Sequence, residues 1–232
     1  MKEKRIAIVG QGVMGLTCAI RLRETGASVD VFSREELADT TSMSAGAYWW
    51  PHEIYPRDRV MPWASETLDH YKEWQKHANS GIHFEKHVRL CVDPDDSAYV
   101  LELLGERQDV DGSAYGVTCH DAFRIAVPVI DVPTYLNRLR EILEESQVRI
   151  HIREIAGPDE LVPDYDLVVN CTGVGAKDFA QDDGVFPIRG QIVRLSRPET
   201  LRESTRIYQK EDQFTLVLPR SDDLVLGGTA QV

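Results

Sequence analysis

Ile6-Ala7-Ile8-Val9-Gly10-Gln11-Gly12-Val13-Met14-Gly15 decides how this chain folds. Four consecutive apolar residues end at a glycine, the pattern of a strand covered on both faces. From Val13 the spacing turns helical. Val13, Leu16, Ala19 and Ile20 share one face, and Gly26 stands where a helix C-terminus favours glycine. Ser28 to Phe32 then reads as a second strand. This completes a βαβ unit, whose short crossover predicts parallel strands and a right-handed connection. Inside it, G-x-G-x-x-G gives each glycine a mechanical role. Gly10 permits the tight turn, Gly12 lets the backbone approach a pyrophosphate, and Gly15 lets helix and strand pack closely. The helix N-terminus adds free N–H groups and the positive end of its dipole. Alone the hexapeptide would fit any glycine turn; its place between strand and helix points to a dinucleotide.

The residue after the second strand normally meets the adenosine ribose, where an acid would accept hydrogen bonds from the hydroxyls. Here the strand runs into Ser33-Arg34-Glu35-Glu36, so Arg34 holds that position with Glu35 beside it. An arginine there suits a 2′-phosphate, and NADP stays open at this point. Arg34 stacked on adenine, or simply solvated, is the plainer reading.

Outward from this motif, 232 residues with 42% hydrophobic composition suffice for one large domain or two small interlocked ones. A formal net charge of -12 repels phosphate backbones and anionic lipid, which argues against nucleic acid and membrane as partners. Cys18, Cys91, Cys119 and Cys171 form no CxxC pair and read as reduced thiols. No apolar run is long enough to span a bilayer, so the expectation is a soluble, cytoplasmic protein.

Residues 33–60 lack periodicity, and a stretch that long in a compact domain is usually functional. Pro62 is expected to open a helix with Ala64, Leu68, Tyr71, Trp74 and Ala78 on one side. Ile82, Phe84, Val88, Leu90 and Val92 alternate as a half-buried strand ending at Asp93-Pro94-Asp95-Asp96. A helix spans about Val132 to Glu145, with Asp131 as its cap and Leu136, Leu139, Ile142 and Leu143 inward. Val148, Ile150 and Ile152 alternate as a strand, and Asp166 to Cys171 form a continuous apolar one. Ile188 to Leu195, Phe214 to Leu218 and Leu224 to Leu226 are expected to be antiparallel strands.

The most informative segment is Thr40-Thr41-Ser42-Met43-Ser44-Ala45-Gly46-Ala47, followed by Tyr48-Trp49-Trp50-Pro51. By composition it is a polar loop whose hydroxyls and small residues could meet a phosphate closely. In its order of hydroxyls, Ala-Gly, aromatic and proline it resembles the flavin loop of the D-amino acid oxidase family of FAD-dependent oxidoreductases. Asp166 to Ala176, Phe186 to Val193 and Leu226 to Gln231 resemble that family's later blocks, in the same order. The resemblance covers essentially the whole chain. It implies an α/β fold with a Rossmann-like FAD-binding core at about 1–50 and 130–180. A mostly antiparallel β substrate-side region, at about 80–128 and 185–232, would be interleaved with it. The implied cofactor is FAD. Gly10, Gly12, Val13, Met14 and Gly15 would hold its diphosphate; Arg34 and Glu35 would lie at the ribose. Thr41, Ser42, Ala45, Gly46 and Ala47 would line phosphate and flavin, Ile155 would meet adenine, and Thr172 and Gly173 would border the cofactor. The implied reaction is oxidation of a small amino acid or amine by hydride transfer to flavin N5, with the protein mainly orienting the two.

The chain departs from the family in two ways. Members continue further, into a segment with a substrate-binding arginine and a His-Gly turn. The expectation is therefore a C-terminally incomplete unit, truncated or split, with the missing half possible on a second polypeptide. And where the family's substrate strand carries a tyrosine, this chain has Leu216. Tyr48, Trp50 and Leu216 are the substrate-side candidates, although loop aromatics bury as core at least as often. A catalytically inactive flavin- or nucleotide-binding subunit is the alternative from a different class. His83 and His87 fall on the strand face opposite the apolar set, and no third ligand supports a metal. Cys171 reads as packing inside a buried strand, and no nucleophile elbow supports a hydrolase.

Overall fold

The computed structural model describes residues 4–51, 54–94, 98–201, 203–208, 214–220, 223–229 and 231, without the side chains of Ala98, Tyr208 and Phe214. Asp95, Asp96 and Ala230, which belong to stretches quoted above, lie outside the described residues.

The first strand, β1 (Arg5–Val9), is buried at four of its five positions. It leads through Gly12 into α1 (Val13–Glu24) and then β2 (Ser28–Ser33). Helix α1 stops where Gly26, at φ +85°, turns its N–H back to the Arg23 carbonyl at 2.9 Å. Two single 3₁₀ turns, Leu37–Asp39 and Thr41–Ser44, precede β3 (Ala47–Tyr48). There follow α2 (Arg57–Trp74), β4 (Ile82–Cys91), α3 (Ala98–Leu104), β5 (Gln108–Asp109) and β6 (Asp121–Ile130). Next come α4 (Val132–Glu145), β7 (Arg149–Ile152), β8 (Leu167–Asn170) and α5 (Ala176–Phe179). The last four strands are β9 (Ile192–Ser196), β10 (Ser204–Tyr208), β11 (Phe214–Pro219) and β12 (Asp223–Gly227).

These elements sort into two compact units, each made of two stretches of chain: Met1–Ala45 with Val132–Pro187, and Gly46–Asp131 with Ile188–Val232. The first is a parallel sheet ordered β7-β2-β1-β8. Ile6 pairs with Val29 on one side and Leu167 on the other. Leu16 and Ala19 of α1, and Leu136, Leu139 and Leu143 of α4, supply buried helix faces. One carboxylate, Asp30, is buried within the strands at 3% exposure. Arg149 holds it bidentately at 2.9 and 3.0 Å, and the Tyr165 hydroxyl donates to it at 2.7 Å. Burial alone would raise its pKa, but these donors and the Arg149 charge together hold it below the usual carboxylate range.

The second unit is a mixed sheet ordered β3-β6-β4-β10-β11-β12-β9, with β5 paired to β6. Strands β4 and β6 run antiparallel from Ile82 opposite Ile130 to Cys91 opposite Asp121. The ladders from β10 through β11 and β12 to β9 are antiparallel, whereas β10 lies parallel to β4. Phe123, Ile125, Val127 and Val129 of β6 form the core with Leu216, Leu218 and Val225.

Several local expectations are corrected. Pro62 lies inside α2, which starts a turn earlier after Pro56, and Ala78 falls beyond its end. Strand β6 has no counterpart in the sequence reading, although Phe123, Ile125, Val127 and Val129 alternate strictly; Pro128 among them reads as a strand breaker. Strand β9 starts at Ile192 rather than Ile188 and is largely exposed. Strand β8 is an edge strand among the described residues, so Leu167 is 48% exposed, and Cys171 stands partly exposed just beyond it. The face of β4 opposite its apolar set is not solvated either: His87 and Arg89 are fully buried there. Among the described residues no helix is long and apolar enough to cross a membrane.

Candidate functional site

In the first unit a cavity of about 520 Å³ opens at the carboxyl ends of the parallel strands, where ligands of open α/β sheets bind. Each strand contributes through the loop that leaves it. Gly10, Gln11 and Gly12 come from β1, Ser33, Arg34 and Glu35 from β2, Arg153 to Ala156 from β7, and Cys171 to Gly175 from β8. Thr40, Thr41 and Ser42 close another side.

The glycine turn is held by backbone contacts that leave no room for side chains. Gly10 sits at φ +110°, and a Cβ on it would run into the Cys171 carbonyl. A Cβ on Gly15 would run into the carbonyl of Gly10. These approaches pack the glycine turn on the residue that follows β8, and the first turn of α1 on Gly10. Gly12 is close to a side chain instead, its missing Cβ lying 2.9 Å from Ser42 Oγ. That hydroxyl accepts the Val13 N–H at 3.1 Å, satisfying one of the orphan donors at the helix N-terminus. Ser42 therefore ties the hydroxyl-rich turn to the glycine turn. Ser42→Ala is expected to cost about 1 kcal/mol, as loss of a helix cap does. Thermal denaturation should show a midpoint about 2–4 °C lower.

Gly10, Gly12, Arg34, Glu35, Thr41, Ser42, Ile155, Thr172 and Gly173 all line this one cavity. Val13, Met14 and Gly15 do not: Val13 faces Ser42 through its N–H, Met14 is exposed and Gly15 is buried in packing. Ala45 ends the first unit, and Gly46 and Ala47 belong to the second. There the missing Cβ of Gly46 would lie 2.8 Å from Val225 Cγ1, and Ala47 pairs with Ile130. Ile155 is also core, packed with Ala7, Val9, Phe32 and Phe179. Gln11 was not anticipated. It is buried, and its Nε2 donates to the Glu35 carbonyl at 2.6 Å. The signal was a long polar side chain between two glycines. Burial and the neighbouring Cys18 thiol push the Cys171 thiol well above its ordinary value, so it stays protonated beside the cavity.

In the second unit Tyr48 and Trp50 pack against the cluster that contains Leu216, which is itself buried. Trp49 is buried as well. Tyr48 stacks on His87 with ring centroids 4.5 Å apart, and its hydroxyl accepts from Arg206 Nη1 at 3.0 Å. The Arg89 guanidinium lies 4.1 Å from the centre of the Trp50 ring. His87 Nδ1 is 2.7 Å from Ser204 Oγ. Burial first, and then the charges of Arg89 and Arg206, push the His87 pKa down to about 3, so the imidazole is neutral. Alternation along β4 showed which residues share a face, but not that both faces are covered. Among the described residues no three His, Cys, Asp or Glu side chains gather to hold a metal ion.

Comparison with known proteins agrees with this architecture. The model of the family described as FAD dependent oxidoreductase matches residues 5–232. A D-amino-acid oxidase of Rubrobacter xylanophilus is 35% identical over 229 residues, spanning 98% of this chain and 70% of that protein. One from Streptomyces coelicolor is 33% identical over 233 residues, spanning 99% of this chain and 71% of that protein. Glycine oxidase from Geobacillus kaustophilus shares the fold, with a TM-score of 0.74 at 17% identity over 98% of this chain and 72% of the other. The NADP reading that Arg34 left open, and the non-catalytic one, find no support in these matches. The chain belongs to the FAD-dependent oxidoreductase family, and FAD is its cofactor.

Proposed function

We propose that this protein oxidises a D-amino acid or a closely related amine. The observation that carries the reading is the cavity at the strand ends. A glycine turn, a helix N-terminus and the Ser42 hydroxyl converge there on one space, as a diphosphate requires. The residues fit the group: the glycines leave room where any Cβ would collide, and the lining supplies N–H and hydroxyl donors. The names of the relatives, D-amino-acid oxidases at about one-third identity, support the substrate class.

In this reading the first unit holds the cofactor and the second carries the substrate-side residues. Gly10 and Gly12 border the diphosphate, Ser42 holds the Val13 N–H, and Gly15 lets the first turn of α1 pack on Gly10. Arg34 and Glu35 lie at the adenosine end, and Ile155 offers an apolar wall to adenine. Thr41, Ser42, Thr172 and Gly173 border the rest of the cofactor, and Ala45 is small enough to allow close approach. Bound FAD would supply the hydride acceptor at its N5. The protein's part is to bind, orient and exclude water. Tyr48 and Trp50 are the substrate-side aromatics, and Leu216 makes that wall apolar.

The purified chain should carry FAD near one per protein, released on denaturation and identified by absorbance. Supplied with a panel of D-amino acids, it should reduce its flavin anaerobically with at least one of them. Gly12→Val should lower FAD content at least tenfold, because a branched side chain must displace Ser42. A released nicotinamide cofactor, or unchanged FAD content in Gly12→Val, would overturn the assignment.

A further inference from the structure

We infer that Gln11 supplies the hydrogen-bond acceptor for the adenosine ribose of the cofactor, a task normally given to an acid at the end of the second strand. The inference rests on the proposed cofactor cavity and names a specificity residue within it. The usual position is filled by Arg34, whose guanidinium offers five donors and no acceptor. Its side chain is 65% exposed, and its Nε lies 3.9 Å from Glu35 Oε2. A ribose hydroxyl that meets Arg34 finds no acceptor there. Glu35 carries one, but that carboxylate is drawn toward Arg34.

Gln11 lines the same cavity from the neighbouring loop, which leaves β1. It is 1% exposed, and its amide orientation is fixed. Nε2 donates to the Glu35 carbonyl at 2.6 Å, and the Ser33 hydroxyl donates to that same carbonyl at 2.8 Å. Flipping the amide would set two carbonyl oxygens against each other. Oε1 is thereby committed as an acceptor, and among the described residues it has no donor. Buried polar atoms rarely stay unsatisfied, and those that do call for an explanation. A donor supplied by the ligand completes the pair. The ribose is the part of the cofactor that carries hydroxyl donors, and Gln11 reaches the cavity beside the Ser33-Arg34-Glu35 turn where the ribose belongs. The polar residue between the first two glycines and the arginine after the second strand then form one exchange: the acceptor has moved from β2 to the glycine turn.

The test compares FAD with analogues lacking the 2′- or the 3′-hydroxyl of the adenosine ribose, titrated into the flavin-stripped protein and followed by flavin fluorescence. The wild type should bind FAD about tenfold more tightly than at least one analogue. Gln11→Leu should erase that preference, binding all three alike. Gln11→Glu keeps an acceptor oxygen and should retain the preference, while losing affinity for all three because the bond to Glu35 is gone. Equal binding of all three ligands by the wild type overturns the inference. So does a Gln11→Leu protein that still discriminates, since the acceptor would then lie elsewhere, at Glu35 for instance. Failure of the wild type to bind FAD at all overturns the cofactor assignment, a result distinguishable from either.

Discussion

Gly10→Ala is expected to leave the protein without FAD and to destabilise it by about 3 kcal/mol or more. Two costs add at this position. At φ +110° the backbone lies outside the conformations that side chains tolerate. The new Cβ would also meet the Cys171 carbonyl, which is main chain and cannot rotate away. Relief would require β8 to shift, and the Cys171 N–H to Val9 carbonyl bond at 2.8 Å ties that strand end to β1. For a domain of this size the melting midpoint should fall by about 6–12 °C, with flavin absorbance lost from the purified protein. Gly26→Ala makes the control. Gly26 is also at positive φ, +85°, but nothing lies within 4 Å of its added Cβ. It should cost only about 1 kcal/mol and keep the flavin. If Gly10→Ala melts with the wild type and stays yellow, the reading of this turn is wrong.

Stability should fall by about 2 kcal/mol between pH 7 and pH 5 through His87 alone. Folded His87 has its pKa pushed down to about 3, whereas the unfolded chain regains the ordinary value near 6.5. Between those values the unfolded state binds a proton that the native state refuses, so stability declines as pH falls through 6.5. The slope approaches about 1.4 kcal/mol per pH unit until the folded value is reached. Burial and the two cations Arg89 and Arg206 disfavour its charge, and Tyr48, Trp50 and Ser204, its other contacts among the described residues, bring no compensating anion. Asp30 and Asp223, whose pKa values are lowered, act in the same direction but only below about pH 4, leaving this window to the histidine. Urea unfolding of wild type and His87→Gln at pH 7 and pH 5 provides the measurement. The wild type should lose about 2 kcal/mol more than the variant, and parallel losses would show that His87 is not the titrating group.

The glycine turn was legible in the sequence because its chemistry is local. A short apolar run, three glycines and a helical face specify both the backbone path and the close contacts that no side chain could make. The same holds for α4, whose apolar spacing needs no partner to be seen. What stayed hidden depends on distant chain. Whether the second face of β4 is covered is decided by Tyr48, Trp50 and Arg206, from other strands and loops. The exposure of β8 follows from its place at the sheet edge, which a continuous apolar run cannot express. The role of Gln11 is not legible locally, because the fingerprint is carried by the glycines around it and its partner Glu35 is 24 residues away. Pro62 misled the helix boundary since proline favours a first turn, while α2 accommodates it further in.

The order of the parallel sheet, β7-β2-β1-β8, also sets a timetable for folding. When the first 33 residues leave the ribosome they hold two of its four strands, and a pair of strands is barely stable in water. The edge on which β8 docks stays open until residue 170 has been made, on the order of ten seconds later. The other sheet waits longer still, because β10 at residues 204–208 must slot in beside β4 before its middle is closed. Both units thus depend on pairings that close large loops, which slows folding and leaves strand edges exposed while synthesis proceeds. A chain built this way should gain more from a chaperone that covers those edges than from any improvement to a single local element.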